Sequence, residues 1–457
     1  MLKRASPQVA SKDNRLDPDQ GFRVKNHPSS MMEKEFEMKN WYRALIVVVV
    51  MCCLVTPLFA TGAAEDGVVT IKYNNFSAGE QNAAVLQEMI ALFEAENPNI
   101  KVENEAMGYG DNYWTQLVTR IAGNDAPDCF ELNMENFLAH ATRGSLRPLD
   151  SLFTETGLDK NVYSAGLLDA VSFDGNLQAI PLMFSTVVLV YNMDLFDQAG
   201  VAYPTEDWTW ADSLAAGLKI SALGDDIWGM FNPIQFWEFY KVSQQNGGGL
   251  MTPDGKTFTI NSKENVATLQ YMLDRVYKYK VMPDKEAQAD RPESDLFVEG
   301  KLGMWLNGVW AFNDLKTRAD FPWGVEVEPG NIAKATHFFG NVGCVSQTTK
   351  HPEEAFLFLN FLASNPKAVD LRLEAQWELP TVSDPEIMKR YIEDTPPTNK
   401  VAVVNSLNYA VKPPALEQFA ELTNIVNTKI EMARDGLLSA QDALDQAQKE
   451  AEAQITL

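Results

Sequence analysis

Catalysis draws on a short list of side chains held at set spacings, and this chain offers few of them. Its four histidines are His27, His140, His337 and His351. No two have a metal-ligand spacing, and C-x-x-C, H-E-x-x-H and the D-x-D-x-D-G calcium loop do not occur. There is no G-x-x-x-x-G-K-[ST] or G-x-G-x-x-G to cradle phosphate, and no G-x-S-x-G elbow to present a serine nucleophile. Gly247 to Gly249 is followed by Leu250, Met251 and Thr252 rather than by a lysine opening a helix. Paired carboxylates are what glycoside hydrolysis needs. Glu326 and Glu328 alternate along one strand and would face the same side; a solvated strand face is the preferred reading of that pair. No cofactor is expected.

The aromatic residues carry more information. Ten tryptophans, thirteen tyrosines and twenty-four phenylalanines are present. Trp228, Trp237, Trp310 and Trp377 lie in polar, loop-like contexts: Trp228 before Gly229, Trp237 near Asn232-Pro233, Trp310 after Asn307-Gly308 and Trp377 after Gln376. Sugar rings present C–H faces that stack on indoles, while their hydroxyls need amide and carboxylate edges. A core role for each tryptophan stays open beside this one, since tryptophan is seldom fully exposed or fully buried.

The elements that must position these groups alternate. Val68 to Tyr73 reads as a strand, followed by a helix whose apolar residues run from Val85 to Phe93 and which stops at Asn97-Pro98. Ile100 to Val102 begins a second strand. Trp114, Leu117, Val118 and Ile121 mark a helix ended by Gly123, and Cys129 to Leu132 is a third strand. Strands alternating with helices predict an α/β fold on a parallel sheet covered on both sides. Further along, Val187 to Tyr191 reads as a buried strand and Asn192 to Gly200 as a short helix. Thr205 to Lys219 reads as a helix, and Trp323 to Glu328 as a strand with one wet face. Pro352 heads a helix with Glu353 and Glu354 in its first turn, and Ser439 with Asp442 caps the last one.

The chain has 457 residues, 46% of them hydrophobic, which favours two lobes over one core. Its net charge is −24. Residues 1–60 hold nine basic and six acidic side chains, so the remainder carries −27. A body that acidic repels nucleic acid and anionic lipid. Ala44 to Val55 is an apolar run after Lys39 and Arg43, shorter than the roughly 20 residues of a membrane span. Small residues follow it through Ala64. This is the pattern of a cleaved export signal, with cleavage after Ala60, Ala63 or Ala64. Residues 1–37 read as a disordered extension or a start placed too early, because Met31, Met32 and Met38 offer later starts. The surroundings of Cys52 and Cys53 are a poor lipid-attachment signal, so a soluble protein, periplasmic or extracellular, is expected. Cys129 and Cys344 sit in apolar stretches and read as two buried thiols rather than a disulfide.

Six ordered blocks carry a family resemblance. Leu117 to Leu132, LVTRIAGNDAPDCFEL, resembles the helix, turn and strand of the family 1 extracellular solute-binding proteins typified by maltose-binding protein. Gly144 to Asp150 (GSLRPLD), Asp174 to Val201, Pro204 to Ala211, Phe297 to Trp310 (FVEGKLGMWLNGVW) and Phe339 to Leu362 are similar to the family's later blocks, in order. Cys129, Gln178 and Phe76 depart from the usual residues. The resemblance implies a two-lobe periplasmic-binding-protein fold of the class II type, with a ligand cleft between lobes joined by a hinge. A monomer is expected, and the missing nucleophile, metal and phosphate motifs predict no catalysis. The resemblance also implies capture of a small-molecule carbohydrate by closure and delivery to ABC transporter permease subunits in the membrane. After a signal at 38–64, it divides the chain into lobe 1 (65–180 and 323–367) and lobe 2 (181–322 and 368–457). The family's binding loops fall on Phe76, Glu80, Asn133, Glu135, Phe184, Ser185, Trp237, Asn307, Trp310, Asn341 and Trp377. Trp310 and Trp377 are expected as stacking platforms, and Asn133, Asn307 and Asn341 as hydroxyl ligands. A secreted glycosidase and a surface adhesin or lectin stay open as other classes. A polyol, a glycerophosphodiester or a peptide stays open as the ligand.

Overall fold

The computed structural model describes residues 67–457 apart from 80–81, 109, 289–290, 415 and 417. The expected extension, the export signal and Glu80 lie outside the described residues.

The first sheet begins as the sequence pattern predicts. Val69–Asn75 pairs in parallel with Ile100–Ala106, Val69 opposite Ile100, and with Cys129–Asn133, Tyr73 opposite Cys129. The helices between these strands, Ala83–Glu96 and Asp111–Ala122, end at Asn97 and Gly123. The expectation of a parallel sheet fails beyond this point. Thr336–Val345 enters antiparallel to Cys129–Asn133, with Asn341 opposite Asn133, and is flanked on its other edge by the antiparallel strand Ile180–Asn192. The sheet is therefore mixed. Its middle strand arrives from 200 residues away, and local periodicity carries no information on such a partner.

Ile180–Asn192 is longer than its apolar core suggested and is buried at every position except Phe184. Its first half, Ile180 to Thr186, pairs with Thr336–Val345 across a register shift between Pro181 and Met183. Its second half pairs with Met304–Gly308, Val187 opposite Gly308, and with Trp323–Glu326, Leu189 opposite Glu326. One strand thus belongs to two sheets.

The cores divide accordingly. One gathers Ile71, Tyr73, Phe93, Phe130, Ile180, Leu182, Val342, Phe356 and Phe358. The other gathers Val188, Val190, Phe239, Leu269, Phe312, Trp323, Val325, Leu422 and Leu444. A smaller cluster holds Val187, Leu189, Tyr191, Phe196 and Ile220, so the strand's second half is covered on both faces. Trp323 and Val325, expected in lobe 1, bury in the second core because their strand pairs with the far half of Ile180–Asn192. Between 368 and 379 the chain alternates: Ala368 and Trp377 join the first core, Val369, Leu373 and Leu379 the second.

Local signals were read well where a cap fixes them. Pro352–Ser364 starts on its proline with Glu353 and Glu354 in the first turn, and Ser439 accepts a hydrogen bond from the Asp442 N–H. The helix expected from Thr205 begins instead at Trp210. Thr209 and Asp212 form a reciprocal capping box that sets the start five residues later. The strand Trp323–Glu326 has no wet face: Glu326 is 7% exposed, and Glu328 just beyond it 1%. Cys129 and Cys344 are buried free thiols, as expected. No helix among the described residues is long and apolar enough to cross a membrane.

Candidate functional site

Alternation along Thr336–Val345 puts His337, Phe339 and Asn341 on one face, and side chains from both cores meet over it. From the first core comes Glu135, on the helix Met134–Thr142 that buries Phe137 and Ala141. Its Oε1 lies 3.5 Å from Nε2 of His337. From the second comes Trp237, on the helix Phe236–Gln245, whose indole stands edge-on to His337 at 5.2 Å and to Phe339 at 6.0 Å. Trp310, in the short turn after Met304–Gly308, meets Phe339 at 5.3 Å and is 40% exposed. Phe339 and His337 themselves lie with ring centroids 3.7 Å apart. Three aromatic rings, those of Trp237, Trp310 and His337, therefore pack around Phe339, with the Glu135 carboxylate beside His337. Oε2 of Glu135 and Nδ1 of His337, both buried, have no hydrogen-bond partner among the described residues.

Burial lowers the pKa of His337; the nearby Glu135 opposes this without reversing it, so the imidazole is neutral at neutral pH. A neutral imidazole, a carboxylate and indole N–H groups offer donors and acceptors to a hydroxyl-bearing ligand.

Beneath this face runs a buried polar network. Glu131, 1% exposed, accepts from the Tyr73 hydroxyl (3.0 Å), the Phe76 N–H (3.1 Å), the Ser77 N–H (2.9 Å) and the Ser77 hydroxyl (2.7 Å). It thereby ties the loop after the first strand to the third strand. Asn341 Nδ2 donates to Glu378 Oε2 at 3.3 Å. Burial pushes the Glu378 carboxyl up to about 7, against the pull of Arg372. Arg372 is itself buried, its guanidinium 4.6 Å from the Trp377 ring.

A second buried charge cluster stiffens the helix that carries Trp237. Lys241 Nζ lies 2.9 Å from Glu238 Oε2 and 2.6 Å from Glu328 Oε2. Burial pushes the Glu328 carboxyl up to about 7, with Lys241 opposing. Burial alone would lower the pKa of Lys241, but its two carboxylates outweigh that and raise it. Glu326 and Glu328 are thus engaged inside the protein, and the solvated face expected for them is corrected.

The structure brings Trp237 and Trp310 against Phe339 and Glu135 against its neighbour His337, with Asn341 further along the same strand face. Asn133 is adjacent as the register partner of Asn341, but its Oδ1 is occupied as a helix cap, accepting from Asn136. Phe184 and Ser185 lie opposite Gly340 and Phe339; Phe184 stacks on Phe338 at 5.9 Å, and Ser185 is fully buried. Asn307 is half-buried, its Oδ1 accepting from the Gly308 N–H. Phe76 is buried against Tyr113 and Trp114. Trp377 is no open platform: it is 2% exposed and packs in the first core under Arg372. Gln376 and Glu378 flank it with left-handed φ of 52° and 55°. The sequence reading missed Phe339, His337 and Glu131. Glu131 alone left a signal, as the one acid in the apolar run CFEL.

Comparison with known proteins identifies the family and the fold. The family described as Bacterial extracellular solute-binding protein matches residues 77–369. An ABC substrate-binding protein of Listeria monocytogenes, solved in complex with cycloalternan, superposes with a TM-score of 0.80. It is 38% identical, with 84% of this chain and 98% of that one covered. Maltose-bound MalE3 of T. maritima superposes with a TM-score of 0.73 at 22% identity, covering 84% and 100%. The arabinooligosaccharide-binding protein of Bacillus subtilis is 26% identical over 285 residues, 60% of this chain and 65% of that protein.

Proposed function

Because this chain belongs to the bacterial extracellular solute-binding proteins, we propose that it captures an oligosaccharide between its lobes and hands it to an ABC importer. We assign as its ligand cycloalternan or a saccharide close to it. The observation that carries this is the 38% identity, over nearly the whole length of the Listeria protein, to a chain bound to cycloalternan. The aromatic surround of Phe339 supports it. Trp237, Trp310 and Phe339 offer ring faces and edges to the apolar sides of a sugar, and Glu135 and Asn341 offer polar edges to its hydroxyls. Glu135 comes from an element of one core and Trp237 from the other, so a ligand touching both stabilises the closed form over the open one. Of the remaining expected contacts, Asn133, Phe184, Ser185 and Asn307 border the cleft, and Phe76 supports its wall. The protein acts by binding, without turnover, as a monomer.

In this reading lobe 1 comprises 68 to about 186 with 336 to about 368, and lobe 2 the rest, a division that follows core membership except at Trp377, which packs back into the first core. The segment up to about Ala64 is removed on export. Calorimetric titration with cycloalternan, maltotriose and an arabinooligosaccharide tests the ligand class. Saturable one-to-one binding that favours cycloalternan is expected. Equal or absent binding of all three defeats the proposal. Intact mass of the exported protein tests the signal, and retention of Trp41 to Val55 would refute it.

A further inference from the structure

Two asparagines join elements that belong to different cores. Asn313 lies on the helix Phe312–Arg318, whose Phe312 and Leu315 bury in the second core. Asn82 stands at the head of the helix Ala83–Glu96, whose Leu86, Met89, Ile90 and Phe93 bury in the first. Nδ2 of Asn313 donates to Oδ1 of Asn82 at 2.9 Å, across 231 positions of chain. Asn82 is buried and Asn313 half-buried, so the bond lies at the edge of the contact between the lobes.

Each end of this bond is held by its own lobe. The Asn82 N–H donates to the Gly79 carbonyl at 2.9 Å, and the Asn82 carbonyl accepts from the Leu86 N–H at 3.0 Å. Just upstream, Glu131 holds the Phe76 and Ser77 N–H groups. On the other side Arg318 Nη1 donates to Asp314 at 2.9 Å and its Nη2 pairs with Asp295, which fixes the helix of Asn313 in lobe 2. Asn82 also forgoes a local bond. An asparagine at a helix N-cap ordinarily turns its side-chain oxygen back to accept from the N–H of the second or third helical residue. Asn82 occupies that position and makes no such bond; its oxygen faces Asn313 instead.

We infer that Asn82 and Asn313 form a latch between the lobes, which sets how tightly any sugar is held without helping to choose among sugars. The inference rests on closure of the two lobes as proposed above. The bond is made by protein groups alone, and it exists only while the lobes are together; when they part, each amide returns to water. It therefore favours the closed form by one fixed factor, and the apparent affinity of every ligand scales with the closed fraction. Trp310, three residues before Asn313, touches the sugar in this scheme, whereas the latch acts through the closure that brings Trp310 to it.

Calorimetry with cycloalternan and maltotriose on the parent, Asn82→Ala, Asn313→Ala and the double variant tests this, beside small-angle scattering of the same four proteins without sugar. Each single variant is expected to weaken every sugar that the parent binds by one common factor, about threefold to tenfold, the scale of one hydrogen bond. The double variant should lose no more than the weaker-binding single, because a latch is broken once. Without sugar, the variants should show a larger radius of gyration than the parent and a nearly unchanged melting temperature. Unchanged affinity, or single losses that multiply in the double variant, overturns the latch. Factors that differ between sugars make these residues ligand contacts and overturn it as well. Should one variant fail to fold, the common factor and the scattering of the other decide. If the parent binds neither sugar, the ligand assignment fails by itself and scattering decides the latch: equal radii of gyration in parent and variants defeat it.

Discussion

The indole of Trp310 stands edge-on to the ring of Phe339, centroids 5.3 Å apart and planes at 74°, and keeps 40% of its surface exposed. Phe339 is rooted in the central strand, so it fixes where the indole stands while leaving it accessible. A platform of this kind can gain burial from a ligand without contributing much to the unliganded fold.

Trp310→Ala is therefore expected to weaken oligosaccharide binding by roughly 1–3 kcal/mol, the scale of burying and stacking one aromatic ring. The melting temperature of the unliganded protein should stay nearly unchanged. Calorimetry and a thermal melt on the same variant check both halves. A collapsed melting temperature with intact affinity would assign Trp310 to the core.

Gly308 offers a second handle on the same ring. A Cβ built there would overlap the six-membered ring of Trp310, and the half-exposed indole can swing aside where backbone could not. Gly308→Ala should thus lower affinity about as far as Trp310→Ala does while the protein stays folded. Near-ultraviolet circular dichroism, reporting the displaced indole, and a binding titration read the two effects together.

Trp377 should behave in the opposite way. It is buried in the first core with the Arg372 guanidinium against its ring. Trp377→Ala is expected to cost about 3–5 kcal/mol of stability, measured by denaturant unfolding. A well-folded Trp377→Ala that has lost only affinity would restore it to the binding surface.

The raised carboxyl of Glu378 makes a pH prediction whose sign follows from linkage. Folding lifts this carboxyl from 4.5 to about 7, so the folded state holds its proton where the unfolded state has released it. Stability from this group is greatest below about 4.5 relative to alkaline pH, and is lost as pH rises through 7. Replacing it with the permanently neutral Glu378→Gln removes this term, an effect of roughly 2–3 kcal/mol between pH 5 and 8. Urea melts of parent and variant at the two pH values check it. Identical pH slopes would show that Arg372 keeps Glu378 ionised throughout.

How far the sequence reveals this molecule depends on how far each partner lies along the chain. Helix ends at Gly123 and Pro352 and the cap at Ser439 were legible because the residues that make them are neighbours. The antiparallel course of Thr336–Val345 was not, because it is set by pairing with strands 150 to 200 residues earlier. The site divides the same way. Trp237 and Trp310 stood out as aromatics in polar surroundings. Phe339 and His337 looked like ordinary strand residues until the strand's face was known. Trp377, expected as an open platform, is buried in a core whose other members are mostly distant in sequence, and its polar neighbours gave no sign of this. Glu328 was misread because its counter-ion, Lys241, sits on a distant helix.

The strand Ile180–Asn192, shared by both sheets, gives the lobes a common backbone where a flexible linker would let them drift. In the proposed division, rotation of one lobe against the other would be shared between the crossings near 336 and 368 and torsion near Thr186 and Val187, where this strand's partners change. Each core owns one half of the strand, so neither core can melt without unzipping a rung that the other depends on. A single cooperative unfolding transition follows, with both lobes reporting the same midpoint. Proteolytic nicking at that junction should release no stable half-molecule. The joint that lets the protein close is also the one that keeps it from coming apart in pieces.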